Sequence, residues 1–138
     1  MIDNLESALR LAVMRLARRM RLERGAHDLR DHQLSVLFVL MREGPISIGT
    51  LGEIERVSRP SMTRTVDAMA KAGYLRRSIG PDDGRQVVVD ITPDGRRAAT
   101  DIRRRREEWF SDALLNLNED ERRTLLEATA LLQRLADS

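Results

Sequence analysis

The chain has 138 residues, of which 41% are hydrophobic and 33% charged, and its formal net charge at neutral pH is +2. This length and hydrophobic content suit one compact domain with a real core. The sequence contains no cysteine, which excludes disulfides, thiolate metal sites and thiol redox sensing, and its 3% aromatic content argues against modules that stack bases on aromatic side chains. The longest apolar run, residues 34–41, is too short to cross a membrane and no secretory signal is recognisable, so we expect a cytoplasmic protein with no membrane partner.

Charge is distributed unevenly along the chain. Residues 58–106 contain twelve Lys or Arg against six Asp or Glu, whereas residues 107–138 contain three against eight. A basic middle and an acidic tail are typical of a protein in which one region faces DNA and another does not.

Residues 2–24 are predicted to form one long amphipathic helix. Its apolar positions recur at three- and four-residue spacing and are Leu5, Leu9, Val13, Leu16 and Met20. Because a small domain cannot cover so long a stripe, we expect a partner helix to pack against it. The other face is rich in arginine; Arg15 and Arg18 are candidates to hold an anion, but the pattern favours a solvated helix face.

The next two segments are predicted to be helices in the middle of the fold. Residues 32–42 are apolar on nearly every side, which is typical of a helix at the centre of a domain. Ser47 is a suitable N-cap for a short helix that ends near Glu55. The residues of this short helix predicted to face inward are Ile48, Leu51 and Ile54. Residues 56–58 form a tight turn into the following helix.

A third helix follows between Ser58 and Gly73. Ser58 is a good N-cap, Pro60 is tolerated in the first turn, and Gly73 supplies a left-handed end. At about 100° per residue, the buried stripe of this helix consists of Met62, Val66, Met69 and Gly73. Two short helices joined by a tight turn, with the second polar and basic at its start, make a helix-turn-helix.

The exposed start of this helix carries small hydroxyls and a guanidinium. Arg64 lies on the side of the helix opposite the buried stripe. Ser61 and Thr63 lie on the two flanks of the helix, between these sides. Arginine pairs with guanine through two hydrogen bonds, and Ser or Thr contacts either a base or the backbone. These side chains are suited to a DNA major groove, although an ordinary solvated helix face has the same composition.

After Gly73 the pattern changes to a period of two residues. Residues 75–79 and 86–91 are rich in β-branched side chains and flank the turn-rich loop 80–85, which predicts a β-hairpin. A basic hairpin directly after a helix-turn-helix is typical of a wing.

Two further helices are predicted towards the C-terminal end. Thr92 and the proline after it start a helix that runs to about residue 117, and Asn118 starts a last helix with leucines along one side. The basic run 103–106 is expected to be a solvated face near DNA or an acidic partner. 

Within and after the wing the residues become specific enough to indicate a family. Asp83 to Arg85, the valines at 87–89, and Ile91 to Gly95 match the D-x-R … L-T-x-x-G signature of the multiple antibiotic resistance regulator (MarR) family, with Ile91 in place of Leu. Residues 58–75 also resemble the family pattern S-x-x-T-V-T-R-x-V-D-x-L-x-x-x-G-L/Y. The order of elements agrees over essentially the whole chain.

The resemblance implies a mainly α fold with a small β-hairpin, that is, a winged helix-turn-helix with N- and C-terminal dimerisation helices. Residues 1–138 would form a single domain. Within it, 1–24 and 107–138 would dimerise, 31–95 would form the DNA-binding lobe, and 96–106 would connect the two parts.

The resemblance also implies a function. The protein would be a sequence-specific regulator that binds double-stranded DNA as a homodimer on a palindromic operator, and a repressor released by a small anionic or lipophilic effector. In the family pattern, Arg85 enters the minor groove and Asp83 fixes a basic side chain in place. The DNA-binding residues carried over to this chain are Ser58, Arg59, Pro60, Ser61, Thr63, Arg64, Arg76, Arg77, Asp83 and Arg85. Among these, Arg59 lies towards the core side on a helical wheel, and the arginines at 76 and 77 are expected to touch the DNA backbone.

Other function classes have less support in the sequence. A winged-helix module for protein interaction or structure, without sequence-specific DNA binding, is the alternative. No catalytic constellation, P-loop or dinucleotide pattern indicates an enzyme. The nearby residues His27, Asp28, Asp31 and His32 do not suffice to predict a metal site, and no cofactor or ligand-binding residue is assigned.

Overall fold

The computed structural model describes residues 1–80 and 86–138, and this part of the chain is mainly helical with a small sheet. The helices are α1 (Ile2–Arg21), α2 (Asp31–Glu43), α3 (Ile48–Glu55), α4 (Arg59–Lys71), α5 (Pro93–Leu115) and α6 (Glu119–Ala136). The strands are β1 (Ile46–Ser47), β2 (Leu75–Ile79) and β3 (Val87–Ile91). The predicted fold class, a winged helix-turn-helix, is confirmed.

Four helices begin at the residues that the sequence marks as caps. The Oγ of Ser47 accepts the amide of Thr50, and Asn118 and Glu121 form a reciprocal capping box at the start of α6. Ser58 and Thr92 cap α4 and α5 in the same way. Each cap satisfies an amide that would otherwise lack a partner in the first turn.

The first helix is shorter than predicted. It ends at Arg21, and a 3-10 turn follows over Leu22–Arg24, where Glu23 leaves the helical region with φ −89° and ψ 30°. Gly25, which was expected to end the helix, has φ +66° and closes this turn. The chain therefore changes direction before it enters α2.

The sheet has one strand more than the hairpin that the sequence predicts. Its order is β1-β3-β2, with both pairs antiparallel. Ile46 lies opposite Val89, and Leu75 lies opposite Ile91. A strand of two residues is too short to show a period in the sequence, and it forms because β3 offers it an edge.

The core lies where α2, α4, the sheet and the first half of α5 meet. Helix α2 contributes five buried residues. This agrees with the prediction that a helix with apolar side chains on nearly every side lies at the centre of the domain. The predicted stripe of α4 is confirmed at Met62, Val66 and Met69, all of which are at most 2% exposed.

The predicted inward face of α3 is wrong at one position. Ile48 and Leu51 are buried, but Ile54 is 41% exposed, and Gly52 takes the inward place. A Cβ at Gly52 would lie 3.2 Å from the carbonyl oxygen of Val57. The turn after α3 therefore packs closely over this glycine, and Ile54 lies about 200° further round the helix.

The terminal helices α1 and α6 bury none of their residues within one chain. Their apolar side chains line a shared groove, in which Leu5 of α1 is 64% exposed and Leu135 of α6 is 59% exposed. Such exposed stripes are typical of helices that pack against another molecule. Within the described residues, none of the helices combines the length and apolarity needed to cross a bilayer.

Candidate nucleic-acid interface

The N-terminal end of α4 presents an ordered row of polar side chains. The Oγ of Ser58 accepts the amide of Ser61 at 3.3 Å and donates to the Oγ of Ser61 at 3.0 Å. The guanidinium of Arg64 donates to that same Oγ at 3.1 Å. The three side chains therefore lie along one edge of the helix, and Arg64 is held over its first turn.

The remaining candidate residues of α4 surround this row. Arg59 and Pro60 are exposed in the first turn, and Thr63 is half-buried. The helical wheel placed Arg59 towards the core side, and the structure shows that this prediction is wrong. Because Met62 is the first buried residue of α4, the turn before it projects beyond the core.

The two arginines of β2 have different surroundings although both are exposed. Arg77 forms an ion pair with Asp67 of α4. Arg76 points to the other face of the strand and lies opposite Asp90 in the strand register. The pair between Asp67 and Arg77 ties the helix to the strand beside it, a contact that sequence analysis did not predict.

The proposed wing contacts Asp83 and Arg85 lie outside the described residues. The hairpin is regular up to that point. The pairing of β2 with β3 extends to Ile79 and Val87, and the amide of Gly80 donates to the carbonyl of Gln86 at 2.7 Å.

The Thr92 to Gly95 segment joins the wing to the end of α4. The Oγ1 of Thr92 donates to the carbonyl of Gly73 at 2.6 Å and accepts the amide of Gly95 at 3.1 Å. A Cβ at Gly95 would lie only 2.3 Å from the carbonyl oxygen of Tyr74. The threonine and glycine of the family signature thus have a structural role, which is to hold three elements in close contact.

A cluster of ionic contacts links the segment before α2 to α5. The carboxylate of Asp101 accepts hydrogen bonds from Arg104 at 2.7 Å, from Arg105 at 3.1 Å and from the Nε2 of His27 at 2.9 Å. These bonds, with that from Arg104 the strongest influence, lower the pKa of Asp101 to about 2. Because His27 precedes α2, its bond fastens that segment to α5.

Asp31 makes a second link, between the end of α1 and the start of α2. Its carboxylate contacts Arg24 at 2.7 Å and Arg21 at 3.3 Å. Two of the four residues that the sequence analysis considered for metal binding, His27 and Asp31, thus form contacts with charged side chains. In the residues that the structure describes, no group of three His, Cys, Asp or Glu side chains is arranged to hold a metal ion.

A pocket of about 410 Å³ lies between α2 and α5. The guanidinium carbon of Arg103 lies 4.7 Å from the centre of the Phe38 ring, and Arg106 is half-buried beside it. Burial lowers the pKa of Arg106, against the opposing effect of Asp31 3.9 Å away. The pocket is lined by Phe38, Arg103, Arg106, Glu107, Phe110, Ser111 and Leu114.

The expectation that residues 103–106 form a solvated face is therefore wrong in part. Arg103 stacks on a ring, Arg105 binds Asp101, and Arg106 is half-buried. Sequence periodicity placed these arginines on one helix but gave no sign of the aromatic and acidic groups that meet them. Arg15 and Arg18 line a separate groove beside Trp109, whose ring is covered by Arg19 at 4.9 Å.

Comparisons with known proteins agree with this architecture. The model of the MarR family matches residues 29–87. An HTH-type transcriptional regulator of Mycobacterium leprae is 41% identical over 133 residues, which cover 96% of this chain and 93% of that protein.

Solved structures show the same fold. A putative transcriptional regulator from Pseudomonas aeruginosa is 31% identical and superposes with a TM-score of 0.83, covering 98% of this chain and 95% of that one. RV1404 from Mycobacterium tuberculosis, at 21% identity, gives a TM-score of 0.87 and covers 97% of this chain and 93% of that one. The chain therefore belongs to the MarR family of HTH-type transcriptional regulators, whose helix-turn-helix binds DNA.

Proposed function

We propose that the protein binds an inverted-repeat operator as a homodimer and represses transcription until a small ligand releases it. The observation that carries this proposal is the row formed by Ser58, Ser61 and Arg64 at the exposed start of α4. Hydroxyls and a guanidinium held in one line match the acceptors of base edges and phosphates in a major groove. We further propose that the protein acts in the cytoplasm, where bacterial DNA lies, and its likeness to bacterial transcriptional regulators supports this.

Within this proposal the candidate residues have separate roles. Arg64 contacts a base, while Ser58, Ser61 and Thr63 position α4 through bases or phosphates. Arg59, Pro60, Arg76 and Arg77 lie against the DNA backbone, and Asp83 and Arg85 place the wing in the minor groove. Arg77 must share its guanidinium between Asp67 and a phosphate, because Asp67 already holds it in the free protein.

The exposed apolar stripes of α1 and α6 support the homodimer. Two copies joined through these helices would bury the side chains that one copy leaves in water, which favours association by about 25 cal/mol for each Å² of apolar surface. Residues 1–24 and 107–138 would form this dimerisation part, residues 31–95 the DNA-binding lobe, and 96–106 the connection. The two α4 helices would then enter major grooves about one helical turn apart.

The pocket between α2 and α5 is the proposed effector site. Arg103 and Arg106 would pair with an anionic group, while Phe38, Phe110 and Leu114 would contact an apolar body. Because α2 belongs to the DNA-binding lobe and the end of α5 leads to α6, a ligand there would change the angle between lobe and dimer. A changed angle alters the spacing of the two α4 helices, and this would release the operator.

The proposal is tested by selecting binding sites from a random duplex pool with the purified protein at two salt concentrations. We expect an inverted repeat whose half-sites are about one helical turn apart. Recovery of no common sequence, with weak and strongly salt-dependent binding, would instead favour the interaction module without sequence-specific DNA binding.

Two substitutions separate base contact from backbone contact. Arg64→Ala should weaken operator binding by about 1–3 kcal/mol and relax the preference at one position of each half-site. Arg85→Ala should weaken binding to all duplexes and reduce the salt dependence of the binding constant. Equal weakening of every duplex by Arg64→Ala would show that Arg64 does not contact a base. Arg123→Ala, which removes the same charge from α6, is the control.

A further inference from the structure

Arg56, in the turn between α3 and α4, has a backbone conformation that L-residues rarely adopt. Its φ and ψ are 57° and 42°, in the left-handed region. Three other described residues have positive φ, and all three are glycines: Gly25, Gly44 and Gly73. Left-handed geometry destabilises a residue that carries a Cβ, whereas glycine adopts it freely.

The hydrogen bonds of the turn require this conformation. The amide of Arg56 donates to the carbonyl of Glu53 at 3.3 Å, and the amide of Val57 donates to the carbonyl of Gly52 at 3.0 Å. This pair of bonds is the Schellman motif, which satisfies free carbonyls at a helix end through a left-handed residue. The end of α4 uses the same two bonds with Gly73 at the corresponding place.

The side chain of Arg56 is exposed. Among the described residues, no hydrogen bond or ion pair joins its guanidinium to another side chain. The nearest carboxylate in sequence, that of Glu55, is engaged by the Oγ of Ser35 at 2.8 Å and 3.0 Å. Polar contacts among the described residues therefore do not explain why an arginine stands at this strained position.

Arg56 lies beside the polar row at the start of α4. Only Val57 separates Arg56 from Ser58, the cap of α4, so the two Cα atoms are at most about 7 Å apart. The turn itself is closely packed, because the carbonyl of Val57 lies against Gly52. The backbone of an exposed arginine is thus held in place beside the row formed by Ser58, Ser61 and Arg64, within reach of the same surface.

We propose that Arg56 is a further DNA-binding residue, which contacts a backbone phosphate beside the bases that α4 contacts. Strain retained at a residue with a free functional group is typical of a functional position. Because it would touch a phosphate, Arg56 would contribute affinity and orientation rather than sequence preference. This inference rests on the DNA binding proposed above and adds a residue to it.

The test compares Arg56→Gly, Arg56→Asn and Arg56→Lys with the wild type on a labelled duplex of about 30 base pairs, three helical turns. Arg56→Gly relieves the strain, so its melting temperature should rise while its DNA affinity falls. The proposed homodimer carries two copies of Arg56, so the loss of one phosphate contact from each copy should lower affinity roughly 60-fold at about 0.1 M salt and reduce the slope of log K against log salt by about 1.8. Arg56→Asn, which tolerates the left-handed region, should show the same loss, and Arg56→Lys should keep most of the slope.

Opposite changes in stability and binding distinguish a DNA contact from a structural role, since a misfolded variant would lose both. Arg123→Ala removes an equal charge from α6 and should leave the slope unchanged. The inference is overturned if Arg56→Gly keeps the affinity and slope of the wild type, or loses no more than Arg123→Ala. Failure of the wild type itself to bind any duplex would instead overturn the proposed function, and this inference with it.

Discussion

Replacing Gly95 by alanine should destabilise the protein although alanine favours helices. The new Cβ would lie 2.3 Å from the carbonyl oxygen of Tyr74 and 2.9 Å from the side chain of Ile91. That carbonyl cannot easily move, because it also accepts the amide of Thr92 at 3.1 Å. Overpacking of this kind costs about 3 kcal/mol at the upper end of its usual range.

Part of this destabilisation is offset by helix propensity. Alanine stabilises a helical position by up to about 1 kcal/mol relative to glycine. The net loss is then about 2 kcal/mol, which for a chain of this length lowers the melting temperature by roughly 4–8 °C. Thermal unfolding followed by circular dichroism, at one fixed protein concentration because a dimer is expected, measures this change.

Gly49 in α3 provides the matched control. A Cβ there would meet nothing closer than the Oγ of Ser47 at 4.0 Å. Gly49→Ala should therefore raise the melting temperature, through helix propensity alone. If Gly95→Ala were as stable as Gly49→Ala, the close approach of the wing to α5 would not be a constraint on the fold, and the structural role assigned to the signature glycine would be refuted.

Two further predictions concern the ionic cluster and the dimer. Asp101 has a pKa of about 2 in the folded protein, below the usual 3.8, so the unfolded chain binds more protons between these values. Asp101→Asn should therefore lower the free energy of unfolding by its full amount above about pH 4 and by less as the pH falls towards 2. Urea unfolding of both proteins measures this difference. A difference that does not change with pH would contradict the assignment. Leu132→Glu places a charge in the groove shared by α1 and α6 and should raise the dissociation constant of the proposed homodimer more than about 100-fold. Gln133→Glu, one residue further along, should not, and sedimentation measures both. If Leu132→Glu left this dissociation constant unchanged, the interface of the homodimer would not lie in this groove.

The elements that the sequence predicts well are those whose causes are local. The caps at Ser47, Ser58, Thr92 and Asn118 lie where a side-chain oxygen satisfies an amide of its own helix. The stripe of Met62, Val66 and Met69 follows from helical periodicity, which any amphipathic helix must obey. These features require no knowledge of what lies on the other side of the contact.

The features that were missed depend on partners distant in sequence. Strand β1 exists only because Val88 and Val89 offer it an edge. Ile54 is exposed because the turn closes over Gly52, and the environment of Arg103 depends on Phe38, which is 65 residues away in the chain. In the candidate site, the polar residues at the start of α4 could be predicted from the sequence. The ion pair of Arg77 with Asp67 could not, because it joins a strand to a helix.

The contacts between α4 and the wing have a consequence for regulation. The pair of Asp67 with Arg77 and the bond of Thr92 to Gly73 join helix and hairpin at two separate points. Helix and hairpin are therefore expected to move together. If the proposed ligand acts on this lobe, it would reposition the helix and the wing as one body, and their proposed contacts with the two DNA grooves would be lost together rather than one at a time.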